Sequence, residues 1–143
     1  MRYIITAQAG AESKQPDMDA PFDEKLFTDY MKFNEDLHKA GVLVASEGLN
    51  PGGRGARIEV TNGKRVLMDG PFTETKELVG GFYIVEVNSL EEAIEWALRC
   101  PSGMGSDDVL EIRPLTGEFD IPEHLRELIR KSAPTWSASL LRS

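Results

Sequence analysis

The chain is poor in several things, and each shortage excludes something. It has one cysteine, Cys100, so it can form no internal disulfide, and a reducing cytoplasm is the expected compartment. It has two histidines, and neither they nor Cys100 fall in ligand spacing, which argues against a dedicated zinc site. Positive charge is in deficit: 16 Lys and Arg stand against 24 Asp and Glu, a formal net charge of -8. That balance disfavours a nucleic-acid backbone or an anionic membrane surface as partner. No apolar run reaches transmembrane length. The opening MRYIITAQAG turns polar too early to be read as a signal peptide.

What is present suits one globular domain. The 143 residues are 41% hydrophobic and 28% charged, enough to close one core without covalent staples.

The centre of interest is Val66–Glu77, VLMDGPFTETKE. An apolar strand runs into Asp69 and stops at Gly70-Pro71. A charged loop follows, and a second apolar strand, Leu78–Val87, takes over. An acid at a strand end, a tight turn and clustered charges between two core strands form a natural place for a site.

Around this segment the chain reads in order. Arg2–Ala7 is a strand, rich in β-branched and aromatic residues. Ala9–Asp19 is a loop. Pro21 or Asp23 opens a helix with acids in its first turn. Phe22, Leu26, Tyr30, Phe33, Leu37 and Ala40 draw its apolar stripe, and Gly41 ends it. Val42–Ala45 reads as a buried strand ending near Ser46 and Glu47. Gly48–Gly55 is a flexible loop, or a lid over the site.

Arg57–Met68 is a hairpin turning on Asn62-Gly63, a dipeptide that permits positive φ at both central positions. This pairs Thr61 with Lys64, Val60 with Arg65, Glu59 with Val66 and Ile58 with Leu67. Ile58, Val60 and Leu67 then share a face, which Asp69 joins if the alternation continues.

In Leu78–Val87, Phe82 and Ile84 face one way, and Tyr83, Val85 and Val87 the other. Apolar side chains on both faces predict that both are covered. One helix layer covers one face, so a second subunit is the economical cover for the other. Ser89-Leu90-Glu91-Glu92 is a capping box. Its helix carries Leu90, Ala93, Ile94, Ala97 and Leu98 inward and stops at Pro101. Val109–Ile112 is the last strand. Asp120-Ile121-Pro122 opens a short helix striped by Leu125, Leu128 and Ile129, and the chain from Pro134 onward is expected to fray. The plan is βαββαβ with an inserted hairpin, an α+β sandwich of the ferredoxin-like kind.

Asp69-Gly70-Pro71-Phe72-Thr73-Glu74-Thr75-Lys76-Glu77, followed by Gly80-Gly81-Phe82-Tyr83, resembles the signature of the DGPF proteins, a branch of the YciI-like (YCII-related) group. The likeness extends to Gly41-Val42, Ala45-Ser46, Leu49, Ala93-Ile94-Glu95-Trp96-Ala97, Cys100-Pro101 and Glu111-Ile112-Arg113-Pro114. It covers residues 1–115, leaving 116–143 as a C-terminal extension. The resemblance implies a dimeric α+β barrel, in which two ferredoxin-like sheets pack face to face. It also implies a bacterial, cytoplasmic protein, of a kind often encoded near extracytoplasmic-function sigma factors. In the wider group, activity is inferred from a histidine on the first helix that approaches an aspartate. The histidine position falls near Tyr30 in this chain, and the aspartate matches Asp69.

The candidate site residues divide by role. Asp69 is the candidate proton acceptor, or an Asx-type turn residue accepting amide hydrogens near Phe72. Tyr30 is its candidate acid or orienting partner, or a core tyrosine with a satisfied hydroxyl. Glu47, Phe72 and Lys76 are candidate substrate contacts, with Lys76 as an anion partner. Their bland alternatives are a solvated strand end, a core plug and a surface charge. No metal or other cofactor is called for. Two functions fit: a cofactor-independent enzyme moving a proton on a small polar or aromatic substrate, or a non-catalytic dimeric module binding a small ligand or a protein in bacterial regulation.

Overall fold

A computed structural model describes residues 1–8, 23–49, 55–69, 79–101 and 108–140. Among the described residues six strands and four α-helices follow in order: β1 (Arg2–Gln8), α1 (Glu24–Lys39), β2 (Leu43–Gly48), β3 (Ala56–Thr61), β4 (Lys64–Asp69), β5 (Val79–Glu86), α2 (Leu90–Ala97), β6 (Val109–Pro114), α3 (Glu123–Ser132) and α4 (Pro134–Leu140). The main sheet has the order β2-β5-β1-β6, antiparallel at every pairing. With β3 and β4 set aside as their own ribbon, this is the ferredoxin-like βαββαβ plan that the periodicity predicts.

Local chemistry explains the helix ends. Asp23 caps α1: its Oδ1 accepts the Leu26 amide hydrogen at 3.0 Å. At the other end Gly41 takes φ +73°, a conformation that costs a side chain but not a glycine. Ser89 caps α2, its Oγ accepting from the Glu92 amide at 3.2 Å. Glu92 reaches back to the amide of Asn88 at 2.9 Å, one residue beyond the cap itself.

The core forms on one sheet face. Tyr3 and Ile5 of β1, Tyr83 and Val85 of β5, and Val87 meet Phe33 and Leu37 of α1, Ala93 and Ala97 of α2, and Cys100. The two helices are joined at the surface, where Arg99 donates to Asp36 at 3.0 Å and lies over the Trp96 ring at 4.3 Å.

Several expectations need correction. In α1 the buried part of the stripe is Phe33 and Leu37; Tyr30 is half-buried, while Leu26 and Ala40 are exposed. In α2 only Ala93 and Ala97 of the five expected inward residues are buried, and Leu90, Ile94 and Leu98 are exposed. The two alanines let the helix lie close to β1 and β6, which turns the larger residues to its flank. Strand β2 is not a buried strand. It is an edge strand with a bulge between Leu43 and Ala45, and Val44 is exposed. The C-terminus does not fray at Pro134. Ala133, held out of helical conformation before a proline, ends α3, and Pro134 opens α4. Ser137 is buried there and its Oγ donates to the Pro134 carbonyl at 3.2 Å.

The hairpin pairing holds as predicted: Thr61 with Lys64, Val60 with Arg65, Glu59 with Val66 and Ile58 with Leu67. Asn62 and Gly63 have φ of 51° and 75°. Its apolar face stands open, however. Ile58, Val60 and Leu67 are 65%, 71% and 64% exposed.

Candidate functional site

The sheet separates two environments, and strand alternation decides which residues enter each. Across β2 and β5, Ser46 lies opposite Tyr83 and Glu47 opposite Phe82. Ser46 and Tyr83 therefore belong to the helix-covered face, Glu47 and Phe82 to the reverse face.

On the covered face, hydroxyl groups gather where α1 crosses the sheet. Tyr83 is buried and its ring meets Phe33 edge to face. Its pKa is pushed up from 10.0 to about 12, chiefly because burial disfavours the phenolate. Ionisation of Cys100 and Tyr30 would add like charge, and hydrogen bonding with the Ser46 side chain pulls the other way. Tyr30 is half-buried and packs against the same core. One turn further along α1, the Asn34 Oδ1 is buried with no hydrogen-bond donor among the described residues. Tyr30, Tyr83 and Ser46 thus form a polar end to an apolar core. Such a group can donate and accept hydrogen bonds to a small polar molecule, and at neutral pH its phenols are donors rather than bases.

The predicted site residues are placed as follows. Tyr30 lies in this hydroxyl group. Glu47 is exposed on the reverse face, so the sheet itself stands between it and Tyr30. Asp69 closes β4, its backbone paired with Ala56. The Asp69 side chain, Phe72, Lys76 and the rest of residues 70–78 lie outside the described residues. So do residues 50–54 of the Gly48–Gly55 segment, all of Ala9–Asp19, and Pro21 and Phe22 at the expected start of the first helix.

Sequence reasoning missed Tyr83 and Ser46 as members of a polar group. In the sequence Tyr83 reads as one apolar residue of a two-faced strand, and Ser46 as a strand end. Their only signal is register: once β2 and β5 are aligned at Leu43 and Val85, the bulge brings Ser46 opposite Tyr83.

The reverse face carries Ile4 and Thr6 of β1, Phe82 and Ile84 of β5, and Ala45 of β2. All are half-buried, and neither α1 nor α2 lies on this side. Charges ring it: Glu47, Glu86, Glu111 and Arg113. Glu111 takes Arg113 at 3.8 Å and Gln8 at 3.5 Å, and Glu86 takes the Met1 amino group at 3.5 Å. The Glu47 side chain has no ion pair or hydrogen bond with a described residue.

A ferredoxin-like α+β sheet with one face covered by α1 and α2, a half-buried reverse face and an inserted hairpin defines the class of protein. The family model for the YCII-related domain matches residues 1–117, and the chain belongs to that family. An uncharacterised protein of Rhizobium meliloti (strain 1021) is 34% identical over 93 residues, which span 65% of this chain and 75% of that protein. No described helix is long and apolar enough to cross a membrane.

Proposed function

We propose that this YCII-related protein is a homodimeric enzyme that works without a cofactor and moves a proton on a small polar or aromatic substrate. Asp69 is the base, and Tyr30 supplies or orients the proton. The supporting observation is the place of Tyr30: a half-buried phenol at the polar end of an apolar core, beside Tyr83 and Ser46. An aromatic or polar ring can rest on such a wall while its oxygen meets a hydroxyl. A positioned acid and base contribute about 10²–10⁴-fold in rate. Isomerisation takes a proton from one atom of the substrate and returns one to another; elimination takes a proton and expels a leaving group, which departs with the proton that the acid supplies. Phe72 and Lys76, which follow Asp69 in sequence, would close the site as an apolar wall and an anion partner.

The test is a thermal-shift screen of the full chain, Asp69→Asn and Tyr30→Phe against small carboxylic acids, phenols and lactones. A compound that raises the melting temperature of the wild type and not of Asp69→Asn supports the reading. If no compound shifts the wild type and Asp69→Asn only melts earlier, Asp69 is a turn residue and the proposal falls.

A second reading, a non-catalytic dimeric module for a ligand or protein partner, draws on the half-open reverse face. Binding in the screen with no turnover of any bound compound would favour it.

A further inference from the structure

The β3–β4 ribbon poses a separate question, because a two-stranded hairpin is at best marginally stable alone in water. Its two faces differ. One carries Arg57, Glu59, Thr61 and Lys64 over Val66 and Met68, and Arg57 pairs with Glu59 at 3.7 Å. The other carries Ala56, Ile58, Val60 and Leu67, whose three large side chains are each about two-thirds exposed. On that bare face sits one charge with a described side chain, Arg65, opposite Val60. The Arg65 side chain has no ion pair or hydrogen bond with a described residue.

The reverse face of the main sheet is the complement. It is apolar at Ile4, Phe82 and Ile84, and at its β2 edge, beside Phe82, stands Glu47, whose side chain has no ion pair with a described residue either. An apolar ribbon carrying the Arg65 cation matches an apolar sheet edge carrying the Glu47 anion, neither of them paired among the described residues.

We propose that the hairpin is a dimerisation arm: its Ile58–Val60–Leu67 face covers the β2 edge of the reverse sheet face on a second copy of this chain, and Arg65 meets Glu47 there. The exchange is reciprocal in a twofold dimer, so each copy both gives and receives an arm. It explains why a bare ribbon and a half-bare sheet occur in one chain. The inference rests on the homodimer reading above and adds to it the element and the ion pair that make the contact.

Sedimentation equilibrium of the full chain tests it with Arg65→Glu, Glu47→Arg and the double variant, each checked for wild-type circular dichroism. Both residues are exposed, so neither change threatens the fold. Each single variant places like charges together and is expected to weaken the dimer about tenfold or more. The double variant restores the pair in reverse and is expected to return within about threefold of the wild type. A dimeric wild type whose single variants dissociate no more readily overturns the arm and leaves the homodimer standing. Weakened singles with no rescue in the double also overturn the pairing. A monomeric wild type overturns both the arm and the homodimer.

Discussion

The rings of Phe33 and Tyr83 meet edge to face, with centroids 5.2 Å apart and planes at 83°. One ring belongs to α1 and the other to β5, so this contact fastens the first helix to the middle of the sheet. Aromatic pairs of this geometry add about 0.5–1.5 kcal/mol beyond the area they bury. A double-mutant cycle with Phe33→Leu and Tyr83→Leu, followed by urea unfolding, is expected to return a coupling of that size. A coupling indistinguishable from zero would show that the rings contribute through burial alone.

The same tyrosine sets a pH dependence. Burial holds the Tyr83 pKa at about 12, above its ordinary 10.0. Above pH 10 the unfolded chain loses this proton first, so the folded state then binds more protons than the unfolded one. Stability contributed by the neutral phenol is therefore complete below pH 10 and is lost as pH rises through about 12. Ultraviolet titration of the folded protein should show one late phenolate transition, and Tyr83→Phe should remove it. The variant should also lose stability less steeply in that alkaline window. An unchanged slope would mean that another group carries the dependence.

What the sequence made legible, and what it hid, follows from the range of the interactions. The hairpin register was readable because Asn62-Gly63 fixes it within two residues. The ends of α1 and α2 were readable from Asp23, Gly41, Ser89 and Glu92, which act on their own neighbours. Burial was less readable. Leu90, Ile94 and Leu98 fit an apolar stripe as well as Ala93 and Ala97 do, and only the close approach of α2 to the sheet decides between them. The second C-terminal helix was hidden because Pro134 reads as a stop, although the same ring also suits a helix start. The hydroxyl group at Tyr30, Tyr83 and Ser46 joins three elements through a bulge at Val44, and no local pattern announces a bulge. Asp69 stands out in the sequence through its turn chemistry, and its part in a site remains a proposal for the thermal-shift screen.

Gly81 offers the sharpest test of how tightly β2 and β5 are joined. A Cβ built at this position would stand 2.9 Å from the Glu47 carbonyl oxygen and 3.3 Å from the Gly48 Cα. Both are backbone atoms of the neighbouring strand, so neither can swing aside as a side chain tip would. Gly81→Ala must push the strands apart at the end that leads into the hairpin, and the expected cost is about 1–3 kcal/mol. Gly80 is the control. Its nearest neighbour would be the Ala7 carbonyl oxygen at 3.7 Å, an ordinary contact. Neither glycine takes a positive φ, so backbone strain does not separate them. Gly80→Ala should be close to neutral, or stabilising by up to about 1 kcal/mol as the unfolded chain loses freedom. Urea unfolding of the two variants should therefore split them clearly. Equal melting of both would mean that β2 yields at its free edge, and that the Gly48 end of the strand can move without cost to the core.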